Sequence, residues 1–260
     1  MSPAIVGVIL GVLLFQAAGL ATTIYLHRTL AHRAMRVSPV VAFAFRVVIW
    51  MTSGIRPRQW VAVHRKHHAF TDVPGDPHSP RLVGYLAVQF NNVGLYRRAA
   101  RDADVVARYS RDIPPDIWDR LLFDRAWLGV GVAAAAVWAG LSWEVVLVAA
   151  GVHVALYMFL NAAVNAVGHA FGKAPYPNTA FNNQWLAWLT QGEGLHNNHH
   201  AAPSSARFAH RRAEFDPGWW AIWVLTRMKL ATVRHREVVL RRVRSATSGT
   251  ATSSSPASAS

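Results

Sequence analysis

The sequence contains no cysteine, which excludes disulfides, thiolate-bound zinc and iron–sulfur clusters. It also lacks a Gly-x-Gly-x-x-Gly dinucleotide fingerprint. Acidic residues are scarce, 13 against 27 basic ones, so the formal charge is +14. No charged side chain occurs among residues 1–26. Any metal must therefore be held by nitrogen or oxygen, and the 13 histidines are the conspicuous supply.

The chain is basic and yet 52% hydrophobic. That pairing fits a membrane protein whose extramembrane surface meets anionic lipid or an acidic partner. A nucleic-acid binder would not carry uncharged runs of this length, so no nucleic-acid partner is expected. The run AIVGVILGVLLFQAAGLATTIYL before His27 is long enough to span. It has no basic start and leads straight into HRTLAH, so we expect it to be retained rather than cleaved. AWLGVGVAAAAVWAGLSW (126–143) and VVLVAAGVHVALYMFLNAAVNAVGH (145–169) form an expected membrane hairpin.

Residues 40–55 carry Arg46 at their centre. A central arginine costs about 2.5–3.5 kcal/mol on insertion scales. This stretch therefore reads as re-entrant or in-plane, with Arg46 reaching the headgroups. The arginine-rich loops put the histidine clusters in the cytoplasm and the N-terminus outside. The expectation is an all-α integral membrane protein. It has about three transmembrane helices, a re-entrant or interfacial helix, and a cytoplasmic helical cap carrying the histidines. Residues 1–244 are expected to form one membrane domain, and 245–260, SATSGTATSSSPASAS, reads as a disordered low-complexity tail.

Three histidine clusters stand out: HRTLAH (His27, His32), HRKHH (His64, His67, His68) and HNNHH (His196, His199, His200). Positions i, i+3 and i+4 share a helical face, so each HxxHH box is expected to aim three imidazoles at one point. The i, i+5 spacing of the first box does not share a face on an α-helix. His27 is therefore expected to end the membrane helix, with His32 returning from beyond it. A lone HxxHH box reads equally well as a polar patch or a cap; three on one predicted membrane side point to a shared metal site.

His153, Tyr157, Asn161, Asn165 and His169 form a polar stripe at steps of four inside the last span. His153 and Asn161 read as interhelical hydrogen-bonding groups. His169 lies level with the boxes and becomes a ninth ligand. Asn165, one turn deeper, is placed to reach the metal directly or through water. Nine nitrogens exceed the needs of one ion, so two are implied. Imidazole suits iron, copper, zinc and nickel.

HRTLAHR, WVAVHRKHHAFTDVPGDPHSP, NAVGHAFG and GEGLHNNHHAAPSSARF resemble the boxes of membrane fatty acid desaturases. The nearest branch is the acyl-CoA Δ9 (stearoyl-CoA-type) desaturases and their bacterial relatives. The resemblance covers roughly residues 20–84 and 153–232. It implies oxygen-dependent formation of a cis double bond in a fatty acyl chain by a di-iron centre, with O₂ reduced to two waters. By position it assigns His27, His32, His64, His67, His68, His169, His196, His199 and His200 as iron ligands, and Asn165 as a contact through water. The acyl chain is carried by CoA, a carrier protein or a lipid. Trp60, Met158 and Phe159 are candidate tunnel residues. Electrons come from a separate ferredoxin or small cytochrome with its reductase, docking on Arg207, Arg211, Arg212, Arg234 and Arg236. The location implied is the bacterial inner membrane, with the site facing the cytoplasm. The alternatives are a membrane di-iron hydroxylase, a metal-binding transporter and a haem protein.

This sequence departs from the acyl-CoA pattern in two places. The basic and acidic residues that precede the second box are here Ala62 and Val63. The stretch GYLAVQFNNVGLYRRAARD after DPH also differs. Family members usually carry a further span ahead of the first-box helix; here 26 residues precede His27.

Overall fold

A computed structural model describes residues 1–234. The tail at 245–260, with His235 and Arg236, lies outside the described residues. Helix α1 (Pro3–Ala21) starts on a proline, whose missing N–H costs nothing in a first turn, and Ser2 caps it by accepting from the Ile5 N–H. It continues without a break into π-helical turns (Thr22–Ala31). Then come β1 (Met35–Val37), α2 (Pro39–Thr52), α3 (Pro57–Ala69), α4 (Pro80–Val83), α5 (Tyr85–Ala100) and α6 (Ala103–Tyr109). A short π-helical turn (Asp119–Phe123) leads into α7 (Ala126–Gly140) and α8 (Trp143–Ala166), which ends in a 3₁₀ turn (Val167–His169). The short helices α9 (Gln184–Leu189) and α10 (His196–Ala201) follow, then α11 (Pro217–Arg227) and β2 (Ala231–Val233).

Two helices are long and apolar enough to cross a membrane, Pro3–Ala31 and Trp143–His169. They run side by side in the same direction. A Cβ on Gly7 would meet Val148, and one on Gly11 would meet Val152. Small residues at such a seam let two backbones approach closely. Because α1 and α8 are parallel, the chain must return between them. Helix α7 joins α8 through Leu141 and Ser142 as a hairpin. Its 15 residues make it shorter than the span expected over 126–143. At 1.5 Å per residue it is only about 22 Å long.

Helices α2 and α3 are bent by 90° against each other. Both ends of the pair lie at the same end of α1. Strand β1 follows the π-helical turns directly, and Arg65 of α3 donates to Leu30 O and Ala31 O, the last carbonyls of those turns. The tip lies far from there: His153 donates to Thr52 O at 2.8 Å, and Ile55 packs on Phe15, Ala18 and Tyr157. The pair therefore dips beside α1 and comes back, as a re-entrant hairpin does. Arg46 does not reach for headgroups as the sequence reading had it. It bonds Asp116 and Asp119, at 2.6 Å to each, and covers the Phe123 ring at 4.3 Å. Two carboxylates from a later segment neutralise the charge that the hairpin would otherwise bury alone.

Strands β1 and β2 pair antiparallel, Met35 opposite Val233. They close an apolar cluster of Ile24, Ala34, Met35, Ala206, Ile222 and Ala231. The cap is thereby fastened to the end of the first span.

Candidate metal centre

The first box sits in the π-helical turns, and this corrects the sequence reading. His27 does not end the helix. The chain keeps winding with i, i+5 backbone hydrogen bonds, as His32 N–H donates to His27 O at 3.0 Å, and the Thr29 hydroxyl adds a side-chain bond to Ile24 O at 2.8 Å. In a π-helix, residues five apart stack, so the imidazoles of His27 and His32 lie 4.9 Å apart. The unusual spacing is thus the period of an unusual helix.

The second and third boxes are α-helical, and each divides its histidines. His27, His32, His64, His68 and His199 gather in one group, and His67, His169, His196 and His200 in another. Within each group one nitrogen per ring lies within 4.8 Å of all the others. The expectation that an HxxHH box aims all three rings at one point is therefore wrong. An α-helix turns about 100° per residue, so i and i+4 differ by about 40°, while i+3 lies about 60° to the other side. His64 and His68 share one group and His67 faces the other; His196 and His200 share one and His199 faces the other.

The rings present Nε2 inward. Nε2 atoms stand 2.7 Å apart in His32 and His64, 3.1 Å in His27 and His199, and 3.0 Å in His169 and His196. Three Nδ1–H groups donate outward to carboxylates: His27 to Glu193 at 2.8 Å, His169 to Asp72 at 2.8 Å, and His67 to Asp76 at 2.9 Å. That bond leaves the Nε2 of each with a lone pair. Burial, reinforced by the neighbouring histidines, holds His196, His199 and His200 well below the ordinary imidazole pKa, so these rings are neutral. The Nε2 lone pairs of His27 and His169 face further imidazole nitrogens at distances that a ring proton or a cation bridges, and nine such nitrogens converge in two groups. The donor set therefore fits two metal ions held by imidazole nitrogen, with carboxylates orienting the rings from behind.

Those three carboxylates escaped the sequence reading. Burial alone would raise their pKa values, but His169, His67 and His27 outweigh it, and Asp72, Asp76 and Glu193 are held below the ordinary carboxylate range. In a chain with only 13 acidic residues, Asp72, Asp76 and Glu193 all stand within eight positions of a box histidine, and that was the available signal. Two arginines were also missed. Arg65, inside the second box, caps the π-helical turns and pairs with Asp112. Arg28 is fully buried, paired with Asp216 at 2.9 Å and laid over Phe208 at 3.8 Å. It fastens the first box to the segment after the third. Gly192 adopts φ 101°, and a Cβ there would strike Asp216 and Arg28, so this turn requires glycine.

The third box lies on a helix of only six residues, and its asparagines hold it in place. Asn197 donates to Ala180 O and accepts from Tyr176 N–H, while Asn198 donates to Phe208 O and Glu214. His78 is buried against His67, with ring centroids 4.7 Å apart, and joins His67 and Asp76 in a third group beside the other two.

A cavity of about 760 Å³ adjoins the histidines; His27, His64, His78 and His196 form part of its wall. Trp60, Met158 and Asn165 line it, and the Trp60 ring stacks on His64 at 4.9 Å. Phe159 does not line it. Consecutive residues of α8 point about 100° apart, and Phe159 lies 54% exposed beside a separate hollow of about 180 Å³. His153 makes the interhelical bond expected of it, but Asn161 donates to Tyr157 O of its own helix. Arg207, Arg211, Arg212 and Arg234 are exposed.

Residues 2–227 match the family model described as fatty acid desaturase. The chain is 28% identical over 225 residues to Delta-9 acyl-lipid desaturase 2 of Arabidopsis thaliana, covering 85% of this chain and 72% of that protein. It is 32% identical over 216 residues to the Acyl-CoA C20 Delta5-desaturase of Anemone leveillei, covering 81% and 68%. It is 28% identical over 222 residues to the sn-1 stearoyl-lipid 9-desaturase of a Synechocystis strain, covering 82% and 66%. With a family match over nearly all the described residues, and with two long apolar helices beneath a histidine-rich cap, this chain belongs to the fatty acid desaturase family of membrane proteins.

Proposed function

We propose that the chain introduces a cis double bond, at a Δ9-like position, into a fatty acyl chain, using O₂ and two iron ions. The observation that carries this reading is the pair of converging histidine groups beside a cavity of about 760 Å³. His27, His32, His64, His68 and His199 would hold one iron. His67, His169, His196 and His200 would hold the other, with Asn165 near it through water. Bound iron would activate O₂, the oxidant that an unactivated C–H bond requires. The chain's own residues do the rest. Glu193, Asp72 and Asp76 hold three imidazoles in one tautomer and orientation. The Trp60 and Met158 side chains shape an apolar wall that keeps the acyl chain in register and excludes water.

O₂ goes to two waters while the substrate supplies two electrons, so two more must arrive from a separate protein. The exposed arginines Arg207, Arg211, Arg212 and Arg234 suit an acidic donor, either a ferredoxin or a small cytochrome. The site then faces the cytoplasm of a bacterial inner membrane, with the N-terminus outside. Labelling Ser2→Cys and Arg234→Cys with an impermeant reagent tests this, since the chain has no cysteine of its own; labelling of both from one side refutes the topology.

The deciding experiment expresses the chain in cells, measures metal per chain, and maps double bonds in cellular lipids by mass spectrometry. Two irons and a new double bond are expected. A hydroxylated product would identify a hydroxylase instead, and zinc or haem would end the di-iron reading.

A further inference from the structure

Helix α5, in the stretch that departs from the acyl-CoA pattern, has two contrasting stripes. Leu86, Phe90 and Val93 are exposed and apolar, on the side continuous with the exposed Met158 and Phe159 of α8. Gln89, Asn92 and Tyr96 form the other stripe, and Gln89 is 5% exposed. Gln89 Oε1, Asn92 Oδ1 and the Tyr96 hydroxyl are buried, with no hydrogen-bond partner among the described residues. Buried polar atoms without partners are costly unless something else meets them. The helix is also kinked between these stripes, at Asn91 with φ −121° and ψ 25°.

The hollow of about 180 Å³ lies between α5 and α8, lined by Gln89, Ala155 and Phe159 among others. It shares Asn92, Val93 and Met158 with the large cavity. It opens at Met158 and Phe159, near the middle of the Trp143–His169 span. That opening faces the depth of the acyl chains, not the water.

Arg97 on α5 and Arg101, which caps its C-terminal end, line the same large cavity just beyond Tyr96. From Tyr96 to Arg101 is about 7.5 Å of helix axis. An ester oxygen and a phosphate are separated by only a short glycerol unit in a phospholipid. In CoA and carrier-protein thioesters the whole pantetheine arm lies between thioester and phosphate. Ala62 and Val63 are buried and uncharged and offer a CoA headgroup nothing.

We infer that the acyl chain enters sideways from the bilayer, through the seam between α5 and α8, as the ester of a phospholipid. The Tyr96 hydroxyl donates to the ester carbonyl oxygen, and Arg97 and Arg101 meet the phosphate. The inference rests on the desaturase reading for what happens to the chain afterwards, but entry can be tested without turnover. The iron-loaded full chain is placed in phosphatidylcholine vesicles with phosphatidylglycerol carrying a mid-chain diazirine, and a matching diazirine acyl-CoA is used in parallel. Irradiation should label Trp60 or Asn161, inside the cavity, from the lipid probe. Ala155→Trp, which fills the hollow, should lose that label at unchanged iron content, and Ala155→Leu should lose less. Cavity labelling from the acyl-CoA probe alone would overturn the inference. So would wild-type labelling of Ala155→Trp by the lipid probe. Labelling of a protein that turns over no substrate would support the seam and sink the desaturase reading.

Discussion

The two histidine groups draw on the same helices but are held by different forces. In the four-histidine group, His67 and His169 each donate to a carboxylate that is itself no more than 1% exposed. In the five-histidine group His27 donates to Glu193, which is 14% exposed. There His64 lies flat on Trp60, and His199 packs on Phe208 at 4.8 Å. A hydrogen bond fixes both the tautomer and the rotation of a ring, whereas packing fixes mainly its plane. Buried carboxylates thus orient His67 and His169 in the four-histidine group, while aromatic contact along the cavity wall supports His64 and His199 in the other. His27 and His64 of that group and His196 of the other all line the cavity, so both groups reach it.

The most severe test removes ligands from each side. His64→Ala or His199→Ala, and His67→Ala or His200→Ala, should each abolish turnover, because no nearby side chain replaces the lost nitrogen. Iron per chain, measured by elemental analysis, should fall toward one in every case. Full activity in any of these variants would refute the ligand assignment.

Removing the orienting carboxylates separates the groups. Asp72→Asn and Asp76→Asn should each weaken metal retention by about 10- to 100-fold, measured by chelator competition. Glu193→Gln should do the same for a single ion of the other group. Equal losses of both ions in all three variants would erase the distinction.

Aromatic support should matter less. Such a contact is worth about 0.5–1.5 kcal/mol, so Trp60→Ala should weaken retention of the five-histidine ion by about two- to tenfold. His78→Ala should also reduce turnover without abolishing it. A loss from Trp60→Ala as deep as that from His64→Ala would make packing the dominant force after all.

The smallest effect expected near neutrality is that of pH on the carboxylates. Asp72, Asp76 and Glu193 have folded pKa values below their unfolded ones. Their contribution is fully present above the unfolded carboxylate range, near pH 4, and is lost as pH falls through the folded values. Unfolding midpoints followed by circular dichroism should not change on this account between about pH 5 and 8, and should drop in stronger acid. Asp72→Asn should flatten the acid limb. An unchanged limb would show that this carboxylate contributes nothing there.

Much of this was legible in the residues themselves. Hydropathy marked α1 and α8, and Arg46 at the centre of 40–55 marked the re-entrant pair. The spacing of the boxes picked out eight of the histidines that come together, and the polar stripe of the last span added His169; His78, which joins His67 and Asp76, was not among them. The π-helical winding was not legible, because α-helical periodicity was assumed and a five-residue spacing then looked like a broken face. The reach of Arg46 was misjudged because its partners, Asp116 and Asp119, lie 70 and 73 residues away. Phe159 was grouped with Met158 because adjacency in sequence conceals the rotation between neighbours on a helix.

The sequence by itself determined the inventory: nitrogen ligands without thiolates, two long apolar segments, and a basic exterior. These depend on composition and on spacings of a few residues, which a local reading captures. Only the tertiary structure decided which nitrogen joins which group, which carboxylate stands behind it, and where the cavity opens. His27 meets His199 across 172 residues and Glu193 across 166. Such pairings follow from how α1, α3, α8 and α10 pack together, and a contact set by packing leaves no period in the sequence to read.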